Sequence, residues 1–584
     1  MNAPLPTRLT TANFDHPVPD RAGTNAYTDD PEFEALLALY LPADLVEHLK
    51  PHLLRLGELA GGELDELARV ADQNPPTLEH RSRNGLDQQR VVKHPAYVEM
   101  ERLAFGEFGL AAMSHRAGVL GWHSPMPAAA KYALTYLFVQ AEFGLCCPLS
   151  MTDSLTRTLR KYASPELVGR YLADLTSQDI DSVAQGAMFM TEQGAGSDVS
   201  ATQTLARADK QSGNWLLYGD KWFCSNPDAA LAMVLARTEG APDGMKGVSL
   251  FLLPRTLPDG TPNNYRIIRL KDKLGTRSMA SGEIRLEGAK AWLVGEIGRG
   301  FAQMADMVNN SRLSNGMRAA GLMRRSLAEA LHFSNHRVAF GKRLINMPLM
   351  QRQLAKLMVP TEQARTMMFQ TAQALRRSDA GEAGAYALTR LLTPLIKFRA
   401  CRDARKVTGD AMEIRGGCGY IEEWGDARVV RDAHLGSIWE GTSNIVALDV
   451  MRAIVREDSL TVWKAHVQHL LRETAWHDHV RDTLCQLTEK VQALADITAK
   501  QKDEVMARQA ASALYHLTSV VAMGWEASQT GSLRRMLLAQ LALLHRLMPH
   551  NPLDKPVNVD LQPLFDQNAQ PVTTDALQAI NLLS

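Results

Sequence analysis

Three short segments of the chain combine residue types that could hold a cofactor or move a proton. The first, residues 190–198, places two glycines beside the hydroxyls of Thr191 and Ser197. Glycines let backbone amides approach a ligand closely, and short hydroxyls can bind carbonyl or phosphate oxygens. Taken alone, the same string also fits a polar turn between a helix and a sheet.

The second segment, residues 413–420, contains three glycines within four residues, Gly416, Gly417 and Gly419. A helix C-cap requires fewer, and the exposed main chain could contact an anionic group such as a diphosphate. A helix stop followed by a tight turn also accounts for the isolated string.

The third segment, residues 438–445, sets Glu440 between Trp439 and Gly441. A carboxylate walled by apolar surface has a raised pKa and can act as a general base. The alternative is that Glu440 caps the helix predicted to begin near Thr442 or Ser443.

Length and composition limit the classes of protein that can carry these segments. With 584 residues the chain is too long for one core, and its length suggests about four compact units. The contents of 45% hydrophobic and 22% charged residues are typical of a folded chain. Because 64 Lys and Arg balance 64 Asp and Glu, the composition argues against a surface devoted wholly to nucleic acid or anionic membrane.

Cysteine spacing and hydropathy predict a soluble, cytoplasmic protein. The six cysteines are scattered, with no CxxC pair, so we expect a reducing compartment and no metal site. Residues 1–32 lack the apolar core of a secretory signal. No run reaches the ~18 apolar residues of a membrane-spanning helix. We therefore expect no membrane partner.

Changes in periodicity predict four regions and an α+β multidomain fold. Helical spacing dominates to about residue 181, short runs rich in β-formers follow from about residue 185, and long helices return after Gly300. The β-rich runs indicate an antiparallel sandwich or barrel. The predicted regions are an N-terminal arm and helical domain (1–182), a β domain (183–297), a helical bundle with the catalytic loop (298–455) and a C-terminal helical extension (456–584).

Four motifs in sequence order resemble those of the acyl-CoA dehydrogenase family. Residues 190–198 match its hydrophobic-Ser/Thr-Glu-x-x-small-Gly-Ser-Asp signature, and residues 413–432 match its acid-x-x-Gly-Gly-x-Gly-aromatic signature. An Arg-x-x-Phe-Gly-Lys string at residues 337–342 and an acid-Gly-Thr-Ser string at residues 440–443 complete the set. The resemblance covers roughly residues 150–455. The chain length and the helices after Arg452 are similar to the AidB subgroup, which takes part in the response to alkylation damage.

The resemblance implies a noncovalent FAD between the β domain and the helical bundle. It also implies a homotetramer, a dimer of dimers, because part of each site comes from a neighbouring subunit. The implied FAD contacts within one subunit are Met190, Thr191, Ser197, Phe223, Ser225, Trp439, Thr442 and Asn444. The contacts implied from the neighbour are Arg337, Phe340, Gly416 and Gly417.

The same resemblance assigns the reaction. Glu440 matches the base that removes the α-proton of an acyl-CoA thioester while a β-hydride passes to the flavin, and Arg312 and Trp439 match substrate-facing positions. Trp439 replaces the usual Tyr and can narrow the acyl pocket. Asn309 and Pro348 also depart from the family pattern. The sequence therefore predicts a dehydrogenase of low efficiency.

The AidB resemblance also suggests an alternative, a flavoprotein that binds double-stranded DNA and protects it or inactivates alkylating agents. A basic strip for DNA would combine Arg452, Arg508, Arg534 and Arg535, provided that their helices face together. Solvated helix faces and ion pairs are the competing interpretation, since the chain from Val446 onward holds fifteen Asp or Glu against thirteen Lys or Arg. Lys221 and Lys342 are interpreted as surface or phosphate-facing charges.

Overall fold

The computed structural model describes residues 18–211, 213–549, 551, 553, 559–566 and 569–583. The first seventeen residues of the predicted N-terminal arm lie outside these ranges. The rest of the arm lies on the helix that ends at Gly61, where the amide of Gly23 bonds the carbonyl of Gly61 at 2.7 Å. Arg21 and Asp30 in this segment are buried, so the arm is ordered by what it packs against.

Seven α-helices and one hairpin form the described part of the N-terminal region. The hairpin was not predicted, because its strands are mostly polar and exposed and lack an alternating apolar face. It docks on the β domain instead, where Gln89 accepts a hydrogen bond from the amide of Ile267 at 3.0 Å. The elements are α1 (Pro31–Tyr40), α2 (Ala43–Gly61), α3 (Glu63–Gln73), β1 (Thr77–Arg81), β2 (Asp87–Val92), α4 (Pro95–Glu101), α5 (Ala128–Phe138), α6 (Cys146–Tyr162) and α7 (Pro165–Leu175).

The β domain follows as one seven-stranded sheet. Its strands are β3 (Gly186–Phe189), β4 (Leu205–Ala208), β5 (Trp215–Ser225), β6 (Leu231–Thr238), β7 (Val248–Pro254), β8 (Tyr265–Leu270) and β9 (Ser281–Val294). Pairing runs from β6 through β4, β5, β9 and β7 back to β6, so these five strands close into a barrel. The sheet differs from the antiparallel prediction in two pairs, because β3 and β4 both run parallel to β6.

Three long helices, α8 (Gly300–His336), α9 (Pro348–Asp379) and α10 (Ala385–Ile414), form the bundle with α11 (Asp426–Leu435) and α12 (Ser443–Glu457). A two-residue turn joins the short strands β10 (Val338–Ala339) and β11 (Lys342–Arg343) between α8 and α9. Helices α8 and α10 run parallel, because Asn315 lies beside Cys401 and Glu329 pairs with Arg415, fourteen residues further along both. Residues from corresponding positions of α8 and α10 therefore lie together at each end of the bundle.

Five helices complete the chain, α13 (Ser459–Arg472), α14 (Asp478–Gln501), α15 (Ala507–Thr530), α16 (Leu533–Arg546) and α17 (Thr574–Gln578). The extension is joined to the rest of the protein by a buried network of eight charges. Within it Arg535 contacts Glu362 at 3.0 Å and Glu526 at 2.5 Å. The members are Asp30, Glu32, Glu362, Glu526, Arg324, Arg365, Arg534 and Arg535, four acids and four arginines.

This network corrects the predicted basic strip. Arg535 is almost fully buried. Arg534 pairs with Glu32 of α1 and lies 3.5 Å from the carboxylate of Glu362 of α9. Their guanidinium groups neutralise buried carboxylates, so neither arginine faces solvent as a free cation. No helix in the described part of the chain is both long enough and apolar enough to cross a membrane.

Candidate active site

Glu440 lies in the turn between α11 and α12, with its backbone in the left-handed region at φ 55°. A non-glycine residue seldom adopts this conformation, which costs of order 1 kcal/mol or more unless the surroundings hold it. Gly441 follows at φ 100°, a value that favours glycine. The turn therefore directs the Glu440 side chain back onto α8.

The Glu440 carboxylate is held by three residues of α8. Ser311 donates a short hydrogen bond to Oε1, the Asn315 amide donates to Oε2 at 3.0 Å, and the Arg318 guanidinium lies 3.9 Å from Oε1. The side chain of Glu440 is 5% exposed. The interpretation of Glu440 as a helix cap is wrong, since Thr442 occupies the N-cap position of α12 and the carboxylate bonds another helix.

Two cations hold the carbonyl oxygens of the same turn. Arg312 donates from Nε to the Glu440 carbonyl at 3.0 Å and pairs with Asp449 at 2.6 Å. Lys397 of α10 donates a short hydrogen bond to the carbonyl of Gly441. Burial lowers the pKa of the Lys397 ammonium to about 8, and the nearby Glu440 charge offsets part of that decrease. Arg312, predicted as a substrate contact, thus bonds the turn and α12 in this chain.

Two aromatic rings pack on Arg318, which lies beside the carboxylate. Trp439 stacks on Phe143 with ring centroids 5.9 Å apart, and the Arg318 guanidinium lies 4.8 Å from the Trp439 ring. The Trp439 indole nitrogen, both terminal nitrogens of Arg318 and the Asn315 Oδ1 make no hydrogen bond with any described residue although they are buried. Buried polar atoms normally have partners, so this set marks a place for a ligand with both donors and acceptors.

The predicted cofactor residues of the β domain lie together. The loop that carries Met190 and Thr191 continues from β3, and the carbonyl of Thr191 accepts a hydrogen bond from the Trp222 amide of β5 at 2.9 Å. The next residue on β5, Phe223, is 58% exposed. Ser197 is exposed further along the loop. The strand pairing thus brings Thr191 beside the β5 segment that carries the exposed Phe223, over whose ring Lys271 Nζ lies 4.9 Å from the centroid.

Glu192 and Lys221 form the internal support of this loop. Lys221 Nζ contacts Glu192 at 2.6 Å and donates to the carbonyl of Leu235 at 2.7 Å, while Glu192 also accepts from Gln203 and Thr204. Lys221 is almost fully buried. Its interpretation as a surface charge is wrong, because it neutralises the signature glutamate inside the barrel. Lys342 is exposed as predicted.

Cys147, at the start of α6, connects the two halves of the site. Burial raises the pKa of its thiol to about 11, the charge of Glu440 contributes to the increase, and a hydrogen bond with Ser225 opposes it. The thiol is therefore close both to the β5 residue Ser225 and to the Glu440 turn. The β domain and the bundle meet at this position.

Four other predicted residues lie at the opposite end of the bundle. Arg337 ends α8, and Phe340 forms the β10–β11 turn at φ 51° with 98% of its surface exposed. Gly416 and Gly417 follow the end of α10 and are also exposed. The α-helical rise of 1.5 Å per residue puts about 37 Å of α8 between Ser311 and His336. These four residues are thus far from Glu440 of the same chain.

The remaining candidates lie on or beside α12. Asn444 accepts a hydrogen bond from Arg508 of α15 at 3.5 Å, so the C-terminal extension contacts the helix that follows Glu440. Arg452 is exposed on the same helix. The side chain of Thr442 makes no capping hydrogen bond with a described residue.

Sequence reasoning missed Ser311, Asn315, Arg318, Lys397 and Cys147 as site residues. The first three recur at i, i+4 and i+7, a spacing that places them on one face of α8. A polar stripe on a helix that is otherwise central and buried was the available signal. No such sequence signal marks Lys397 or Cys147, because their roles depend on which distant segment reaches them.

Comparisons with known proteins agree with this arrangement. Residues 17–182 match the family description "Adaptive response protein AidB N-terminal domain", residues 187–289 match "Acyl-CoA dehydrogenase, middle domain" and residues 298–455 match "Acyl-CoA dehydrogenase, C-terminal domain". The chain is 35% identical over 413 residues to AidB of Escherichia coli (strain K12), covering 68% of this chain and 73% of that protein.

Two similarities to Caenorhabditis elegans proteins extend this result. The chain is 32% identical over 464 residues to acyl-CoA dehydrogenase family member 11, covering 78% of this chain and 75% of that protein. The crystal structure of ACDH-11 in complex with C11-CoA superposes with a TM-score of 0.83 at 28% identity, covering 93% of both chains. The chain therefore belongs to the acyl-CoA dehydrogenase family and to its AidB-like branch.

Proposed function

We propose that this protein is an FAD-dependent oxidoreductase that acts on an acyl-CoA thioester, with Glu440 as the base. The observation that supports this most is the Glu440 carboxylate, which is buried and held by Ser311 and Asn315 beside unpaired polar groups. A carboxylate that is both desolvated and fixed in direction suits proton abstraction next to a carbonyl.

The residues present fit FAD. The exposed face of Phe223 and the hydroxyls of Thr191 and Ser225 suit an isoalloxazine ring and a ribityl chain. A Cβ placed at Gly194, Gly196, Gly416 or Gly417 would meet no atom within 4 Å, so the main chain at these glycines is open to a ligand. FAD bound here supplies a hydride acceptor for the β-carbon of the substrate.

The chain's own groups act on the α-proton. The Glu440 carboxylate accepts that proton, and the donors Ser311 and Asn315 keep its oxygens in a fixed direction until then. Arg312 and Lys397 hold the backbone of the turn through the Glu440 and Gly441 carbonyls. The carboxylate is shielded from water, since the Glu440 side chain is 5% exposed. Placement and exclusion of water are the contributions of this chain to the rate.

A homo-oligomer with shared FAD sites accounts for the second group of residues. Arg337, Phe340, Gly416 and Gly417 are exposed at the bundle end remote from Glu440. A dinucleotide beside Glu440 of the same chain would not span that separation. We propose that they contact the FAD of a neighbouring subunit in a dimer of dimers.

The Caenorhabditis elegans structure, which contains C11-CoA, supports a substrate class. We propose an acyl-CoA for this chain as well. We propose that Trp439, which precedes Glu440 and stacks on Phe143, narrows the acyl pocket, which favours slow turnover over efficient oxidation.

For the alternative, a DNA-binding flavoprotein, two of the four arginines proposed to contact DNA are engaged in ion pairs. Arg534 and Arg535 neutralise buried acids, so they do not add to a phosphate-binding strip. Arg452 and Arg508 remain exposed. Affinity for phosphates grows with the number of cations presented, which weakens this alternative.

Anaerobic titration of the purified flavoprotein with acyl-CoAs of increasing chain length tests the proposal. We expect bleaching of the flavin absorbance with at least one acyl-CoA and no bleaching in Glu440→Gln, which should retain FAD. Glu287→Gln, an exposed change on β9, is the matched control and should bleach like wild type. Bleaching by Glu440→Gln at the wild-type rate, or loss of FAD in that variant, would contradict the assigned role.

A further inference from the structure

A second cavity lies away from Glu440, between α12 and the junction of α14 with α15. Its volume is about 470 Å³, within the range of small-molecule pockets. Its apolar lining comes from Leu448, Met451 and Val455 on α12 and from Ala499 on α14. Val455 is 61% exposed, so an apolar surface is open to solvent here.

Cations surround this apolar surface. Arg452 and Arg456 lie on α12, and Lys502 ends α14 at φ 54°, the point at which the chain bends toward α15. Within the described ranges, the side chains of these three residues form no hydrogen bond or ion pair. A fourth cation, Lys500, is paired with Asp496 at 2.8 Å.

The acids that line the cavity do not form ion pairs with these cations. Asp503 is occupied by the amides of Val505 and Met506 at 3.0 and 3.2 Å. Glu504 is the other lining acid. Each helix C-terminus adds about half a negative charge. With Asp503 and Glu504 both ionised, the three unpaired cations and the half-charges at the ends of α12 and α14 sum to about zero, so the feature that distinguishes this cavity is three cations without a side-chain partner and not a net charge.

From this combination we infer that the cavity binds a single-chain amphipathic anion, a fatty carboxylate. The hydrocarbon chain covers Leu448, Met451 and Val455, and the carboxylate pairs with Arg456 and Lys502 at the rim. Burial of the chain supplies the affinity, because each methylene removed from water contributes about 0.8 kcal/mol. The paired cations select an anion over a neutral or cationic head group. This site is separate from Glu440 and does not require FAD turnover.

Calorimetric titration of the full-length flavoprotein with dodecanoate, below its micelle concentration, tests the inference. We expect saturable binding to wild type and at least tenfold weaker binding of dodecylammonium, which has the same chain and the opposite charge. Arg456→Glu combined with Lys502→Glu removes the head-group contacts, and Val455→Trp fills the apolar surface. Each should raise the Kd for dodecanoate at least tenfold.

The matched control is Arg472→Glu combined with Lys490→Glu, the same charge change on exposed residues of α13 and α14 outside the cavity. It should keep the wild-type Kd. Equal affinity for dodecanoate in all variants, or equal affinity for dodecylammonium, would overturn the inference. A third result would also overturn it: no dodecanoate binding by wild type, together with loss of duplex DNA affinity in the Arg456 and Lys502 variant. That result would make this face a phosphate contact. None of these readouts depends on flavin reduction.

Discussion

Ser311 of α8 donates a hydrogen bond to the carboxylate of Glu440, a residue 129 positions later in the chain. Asn315, one turn along the same helix, donates to the other carboxylate oxygen at 3.0 Å. Because both donors belong to one rigid helix, the direction of the carboxylate is fixed by α8 and not by the loop that contains Glu440.

Removing either donor should slow the proposed reaction without removing the cofactor. We expect Ser311→Ala and Asn315→Ala each to lower the rate of flavin reduction by an acyl-CoA by about tenfold to a hundredfold, because misdirection of a catalytic group carries costs of that order. Stopped-flow flavin absorbance provides the rate. The double variant should lose less than the product of the single losses, since both donors hold one group. Wild-type rates in both single variants would contradict the role given to α8.

Lys397 should make stability depend on pH in the alkaline range. Its pKa is about 8 in the folded protein, against an ordinary lysine value of about 10.4 in the unfolded chain. The unfolded chain therefore binds more protons between these values, so the folded state gains stability as pH rises from about 8 to 10.4, by at most about 3 kcal/mol.

Denaturant unfolding of wild type and Lys397→Met across pH 7 to 10.5 measures this effect. The difference between the two proteins should shift in favour of wild type as pH rises, while exposed Lys490→Met should track wild type throughout. A difference that stays constant with pH would show that Lys397 does not titrate in this window.

Asp432 should produce the opposite dependence at acidic pH. Burial raises the pKa of its carboxyl to about 7, and the charge of Glu142 adds to the increase. The unfolded chain ionises this group near pH 3.9. The stability that the protonated carboxyl contributes is thus complete below about pH 4 and lost as pH rises to about 7, with an upper bound of about 4 kcal/mol.

Asp432 accepts a hydrogen bond from the Thr276 amide at 2.6 Å. The variant Asp432→Asn keeps an oxygen that can accept this bond, but its side chain cannot ionise. We expect this variant to match wild type near pH 4 and to exceed its unfolding free energy at pH 8. Asp478→Asn, with a side chain 93% exposed, serves as the control. A pH-independent difference for Asp432→Asn would refute the assigned titration.

Arg535 should be a structural residue. Replacing it with Met leaves Glu526 buried without a cation and removes one of the three arginines around Glu362, and losing one member of a buried ion pair costs about 3–5 kcal/mol. Arg546→Met, an exposed change in the last turn of α16, should stay within about 0.5 kcal/mol of wild type. Equal unfolding free energies for the two variants would mean that the network contributes little.

The sequence alone predicted the order of helical and β-rich regions, because apolar periodicity and turn residues act over short distances. It indicated the β-rich runs that form the barrel and the long helices after Gly300. Motif spacing also identified the family. The hairpin β1–β2 escaped prediction because its strands depend on the β domain they dock against, and not on a pattern of their own.

Only the tertiary structure decided which distant groups meet. Ser311, Asn315 and Lys397 reach the Glu440 turn because α8 and α10 run parallel, and no local signal encodes that register. The environments of charged side chains were decided in the same way. The sequence favoured surface positions for Arg535 and Lys221, whereas in the fold each forms an ion pair with a buried acid. Short-range preferences fix the elements, whereas burial and charge pairing depend on contacts between segments that are separate in the sequence, such as Ser311 with Glu440 and Arg535 with Glu362.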